Sequence, residues 1–225
     1  HEPEKGGIRR QYLCHLPETE PGAPQHGITL TDTQMALTFF FVPAGTLAAF
    51  ALIRYYDDHS GRLNRRDICT GLLWCALWLL LSIFSRTPLS LPLSLSMGLL
   101  CACTVTDALR TWLPAELTLP LAVTMIWHAS LSPWGFQSAL IWGAVWTAFY
   151  GGRWLFYRLQ RREDTPGSGD IILAGIAGIA GGPSSAFLIA SAIAGHLAWG
   201  TVRHLHEAPF GPWLCLAITV QLIFF

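Results

Sequence analysis

From Met35 onward the chain is written as long apolar runs separated by short polar breaks. A helix rises about 1.5 Å per residue, so about 20 apolar residues cross the hydrocarbon core of a bilayer. Runs of this kind fall at residues 35–53, 68–85, 89–106, 117–134, 137–157, 171–182, 184–202 and 210–225, the sixth and eighth being short. The pattern predicts an all-α polytopic membrane protein of about eight transmembrane helices. It divides the chain into a polar N-terminal tail, residues 1–34, and a membrane-embedded domain, residues 35–225.

Composition sharpens this picture by exclusion. The chain is 52% hydrophobic and 12% charged, against roughly 25% charge in a soluble domain, so polar side chains are too few to coat a globule in water. Formal net charge is zero and the basic residues lie in short loops, which argues against a nucleic-acid partner. Cys14, Cys69, Cys75, Cys101, Cys103 and Cys215 form no C-x-x-C pair, and most sit inside apolar runs, where free cysteine behaves as a small hydrophobe. The sequence therefore predicts no metal site, no disulfide framework and no cofactor. The ten Trp and twelve Phe suit membrane spans and interfacial belts and mark no site by themselves.

The tail has no 7- to 15-residue apolar stretch that could be a signal-peptide core. Its linker-like Lys5-Gly6-Gly7 reads as a processing remnant, and the whole segment is expected to be flexible. Gly175, Gly178, Gly181 and Gly182 in the sixth run are small enough for close helix contact, so that helix is expected to pack centrally. Cytoplasmic loops carry the excess of Lys and Arg. Arg54, Arg62, Arg65 and Arg66 follow the first run, Arg110 the third, Arg153, Arg158, Arg161 and Arg162 the fifth, and Arg203 the seventh, while the alternate loops hold only Arg86. Both termini are thus predicted to face outward.

With this topology the third run descends to the cytoplasmic face and ends at Asp107, and the sixth leaves the same face after Asp170. Either acid alone reads most simply as an interfacial residue or a helix cap. Their surroundings say more. Asp170 closes Gly167-Ser168-Gly169-Asp170, whose glycines allow positive φ and close backbone approach. Asp107 opens Asp107-Ala108-Leu109-Arg110-Thr111-Trp112-Leu113-Pro114, and Leu117-Thr118-Leu119-Pro120 follows, which predicts a fixed, proline-marked loop at the interface.

These motifs resemble the type IV prepilin peptidases, a family of G-x-G-D intramembrane aspartyl proteases, and the resemblance covers most of residues 95–215. In that family the first catalytic aspartate stands seven residues before the proline of an L-P-x-x-L-T-x-P stretch, here Asp107 before Pro114, and the second closes G-x-G-D, here Asp170. A third family signature, P-F-G-P, is Pro209-Phe210-Gly211-Pro212. The resemblance implies Asp107 and Asp170 as catalytic residues on an active-site loop containing Gly167 and Gly169. It implies no cofactor, a prepilin or pseudopilin substrate, and a multi-pass place in the bacterial inner membrane.

Two carboxyls suit peptide hydrolysis because one can take a proton from water while the other donates one to the carbonyl oxygen. Held close, the pair shares a single proton. The start of the sixth helix suits Asp170 to the ionised role, leaving Asp107 as proton holder.

The chain departs from the family in three places. Ile172 stands where a lysine is common, Ala115 where an acid is common, and the loop from Arg54 to Asp67 replaces a tetracysteine domain linked to N-methylation, so methyl transfer is not expected. Tyr55, Tyr56, Asp57, Asp58 and His59 in that loop read as a solvated charged turn, and His196, His204, His206 and Glu207 as interfacial residues. Gly27-Ile28-Thr29-Leu30-Thr31-Asp32 mimics a prepilin cleavage site but lies on the outer side of the predicted topology. The competing readings are a presenilin-like protease, disfavoured because Thr106 precedes Asp107 and P-A-L is absent, an archaeal preflagellin peptidase, a polytopic transporter, and a non-catalytic scaffold of a pilus or secretion machine.

Overall fold

The computed structural model describes residues 32–56, 63–85, 90–131, 135–160, 167–203 and 209–224. Most of the tail, including Cys14 and all of the cleavage-site mimic but Asp32, lies outside them, as do Asp57, Asp58, His59, His204, His206 and Glu207.

Among the described residues the chain is all helical, with α1 (Asp32–Tyr56), α2 (Arg65–Ile83), α3 (Leu91–Arg110), α4 (Ala115–Ser130), α5 (Phe136–Leu159), α6 (Ser168–Gly181), α7 (Ser185–Arg203) and α8 (Gly211–Phe224). Each matches one expected run, though α1 begins at Asp32, inside the expected tail. Four stretches are long and apolar enough to cross a bilayer: Ala36–Tyr56, Arg65–Ile83, Leu91–Arg110 and Ser168–Val202. The last combines α6 and α7 through a 3-10 turn at Gly182–Ser184. α4, at 16 residues, and α8, at 14, are shorter than a full span.

The outward faces show what solvent the fold expects. Phe40 is 67% exposed, Leu73 71%, Val123 65% and Phe187 81%. Large apolar side chains so exposed over so much of the surface would be an aggregation hazard in water, whereas lipid solvates them. This is the surface of a polytopic membrane protein.

The interior is built on α3, which packs against α1, α2, α4 and α8. Met97, Leu100, Cys101, Ala102, Cys103 and Val105 are fully buried along it. The buried hydroxyls of Thr104 and Thr106 donate to the carbonyls of Leu100 and Ala102 at 2.8 and 3.1 Å, so polar residues enter this core already satisfied. α6 takes the central place expected of it, burying Leu173, Ala174, Gly175, Ile176, Ala177 and Gly178 and packing on α5 and α4.

At Gly182, with φ 51°, the chain breaks out of α6 in a conformation that costs glycine nothing. α7 then runs back, because His196 Nδ1, late in α7, lies 3.4 Å from the carbonyl of Pro209 at the foot of α8. Several helix ends therefore meet on one side of the bundle. Tyr56 at the end of α1 bonds to Glu116 at the start of α4, and Asp67 at the start of α2 pairs with Arg110 at the end of α3. The first amide of α8 meets Asp107 there.

Candidate active site

Asp107 lies three residues before the end of α3. The sequence reading ended the third span at Asp107; the helix instead continues one further turn. It stops where Thr111 adopts the left-handed conformation, φ 50°, and returns its N–H to the Asp107 carbonyl at 2.8 Å. The extra turn draws the carboxyl inside the bundle, where the residue is 5% exposed.

A buried carboxyl needs donors. Here Oδ2 accepts the backbone N–H of Gly211 at 2.8 Å, across 104 positions of chain. Gly211 is the first residue of α8, so the donor is one of the otherwise unpartnered amides at a helix N-terminus, where the helix dipole also favours an acid. The site requires glycine: a methyl group added there would stand 2.7 Å from Oδ2 and 3.0 Å from Cγ of Asp107.

Asp170 is held by local chain. Gly167 caps α6 with φ −63° and ψ 150°, and Asp170 is the third residue of the helix. Its Oδ2 accepts the Gly167 N–H at 3.2 Å, the back-reaching half of a capping box. Asp170 is half-buried. The sequence reading started the helix after Asp170 and noted that the two glycines allow positive φ and close backbone approach. The helix starts at Ser168, and neither Gly167 nor Gly169 is among the residues with positive φ.

What glycine supplies here is close approach. Gly169 lies against Leu113, and an added methyl would come 2.7 Å from the Leu113 carbonyl oxygen and closer still to its Cβ. Leu113 is buried in the segment joining α3 to α4. The loop after the first aspartate thus seats the helix that carries the second. The two carboxyls, 63 positions apart, are near enough for their charges to interact. Gly167 has room for a side chain, its nearest neighbour being Asp170 Oδ2 at 3.5 Å.

Tyr150 of α5 is buried beside this corner and within electrostatic reach of Asp170. His196 faces Phe210 edge-on, with ring centroids 5.7 Å apart. No group of three or more His, Cys, Asp or Glu among the described residues could hold a metal ion. The sequence reading singled out Pro209 to Pro212 as a motif but gave it no part in the site. Its glycine proves to be the backbone donor to Asp107. The signal was a glycine-proline pair opening a short apolar helix, a place where free amides are on offer.

One buried carboxyl and one half-buried carboxyl, each with one oxygen tied to a backbone amide, form a site suited to general acid and base chemistry on a water molecule. No curated protein and no solved structure matches the chain. A family model does: residues 93–200, which carry both aspartates, match the type IV leader peptidase family. Over that stretch, a little under half of the chain, the chain is similar to the type IV leader peptidase family.

Proposed function

We propose that the chain is an aspartic endopeptidase that removes the leader of type IV prepilins or related pseudopilins, cutting after a glycine at the cytoplasmic face of the bacterial inner membrane. The observation that supports this reading is that Asp107, near the end of α3, and Asp170, in the first turn of α6, are linked through Leu113 and lie within reach of each other's charge in a membrane bundle.

In the proposed reaction a water molecule stands between the free oxygens of the two carboxyls. Asp170 takes its proton as the oxygen attacks the scissile carbonyl, and Asp107 donates a proton to the carbonyl oxygen. Collapse of the tetrahedral intermediate returns a proton to the leaving amine and restores the one-proton pair. The amides of Gly211 and Gly167 hold the carboxyls without consuming either proton. The substrate's apolar helix lies in the bilayer beside the enzyme, so alignment is partly achieved before binding.

The test is cleavage of a prepilin by the full chain in liposomes, with the N-terminus of the product sequenced. The expected result is a single cut after glycine that disappears with Asp107→Asn. A cut elsewhere, or one indifferent to that substitution, overturns the proposal.

A further inference from the structure

Three contacts made by α1 and α2 bracket the short segment, residues 111–114, that joins α3 to α4 and touches Gly169 of α6. Tyr56, the last residue of α1, donates its hydroxyl to Glu116 Oε1 at 2.6 Å. The same ring meets Trp112 edge-on, with centroids 4.8 Å apart. Asp67 of α2 pairs with Arg110 at 3.4 Å.

An acid in the first turn of α4 is comfortable with the helix dipole alone, so Glu116 does not need Tyr56 in order to cap. The contacts constrain what lies between them. Residues 111–114 carry a β-branched residue in left-handed backbone, Thr111, a conformation costing roughly 1–2 kcal/mol that persists only where surroundings over-determine it. Within the same four residues Leu113 presses on Gly169. Any drift of this segment is passed to Asp170 through that contact, and to Asp107 through the amide that Thr111 returns to its carbonyl.

We propose that Tyr56 and Glu116 are positioning residues for the dyad: their hydrogen bond, backed by the Tyr56–Trp112 ring contact, fixes the α3–α4 segment and through Leu113 sets Asp170 against Asp107. The proposal rests on the peptidase reading for its effect on rate, but not for its effect on the segment itself.

Two measurements on the full chain in liposomes test it together. Amide hydrogen exchange is followed by mass spectrometry for the unmodified chain, Tyr56→Phe and Glu116→Met, the first variant keeping the ring and losing only the hydroxyl, the second keeping the length of the side chain and losing the acceptor oxygen. Exchange over residues 111–114 and 167–170 is expected to rise about tenfold in both variants, with the middle of α3 unchanged. In prepilin cleavage kcat is expected to fall about tenfold with KM within about twofold, and the double variant to match either single, because both remove one bond.

Unchanged exchange overturns the proposal whether or not the chain cleaves. Faster exchange with kcat intact also overturns it, since the segment would then not set the dyad. A chain that fails to cleave at all sinks the peptidase reading instead, and exchange alone then decides whether the bond holds the segment.

Discussion

The end of α3 and the start of α6 each deliver one carboxyl to the same corner, by opposite means. Asp107 lies on the most buried helix of the bundle and takes its donor from Gly211, 104 positions away. Asp170 lies in the first turn of a 14-residue helix and takes its donor from Gly167, three positions back. One carboxyl is placed by the tertiary fold and the other by local chain. Damage to the first should therefore spread through packing, while damage to the second should stay local unless it touches Leu113.

The largest expected effect removes the chemistry itself. Asp107→Asn and Asp170→Asn should each lower the cleavage rate by about 10²–10⁴-fold, with helical content by circular dichroism unchanged. Next come the glycines that allow close approach. Gly211→Ala puts a methyl against Asp107, and Gly169→Ala puts one against the Leu113 backbone; each should cost on the order of 10²-fold in kcat, the scale of a misplacement near 1 Å. Gly211→Ala should also lower the melting temperature, since it disturbs a buried contact between α3 and α8, whereas Gly169→Ala should act mainly on rate. A reversed order of melting temperatures would break the distinction between the two ends.

Gly167→Ala is the control within the same motif. Its site has room and ordinary backbone angles, so kcat should stay within about threefold, because replacing a capping glycine costs well under 1 kcal/mol to a little more. A large loss would mean that the motif needs its first glycine for something other than sterics. The smallest effect is expected at Thr111, the left-handed residue that ends α3. Thr111→Gly should raise stability by about 1 kcal/mol, read as an upward shift of melting temperature in detergent.

The sequence made much of this legible, for identifiable reasons. Eight helices were readable because apolar runs recur between short polar breaks, and the resemblance to the family was readable because three motifs stand in the right order along the chain. Helix ends were less so: stopping α3 at Asp107 overlooked that Thr111, not the acid, would terminate the helix. The glycines of the Gly167 turn allow either positive φ or close approach, and only the packed structure shows that close approach, at Gly169, is the one used. The contacts that tie the corner together, Gly211 to Asp107, Leu113 to Gly169 and Tyr56 to Glu116, join residues 60 or more positions apart in the first and third cases. Periodicity and spacing carry no information about such pairings, which exist only once the helices have packed.

The most direct test of the central claim, that the two aspartates act as one unit, is single-turnover cleavage of a prepilin in liposomes by the unmodified chain, Asp107→Asn, Asp170→Asn and the double variant. The account predicts that each single substitution drops the rate to the same floor and that the double falls no further, as expected of groups that work only together. A single variant that keeps the unmodified rate, or a double variant slower by the product of the two single losses, would contradict it.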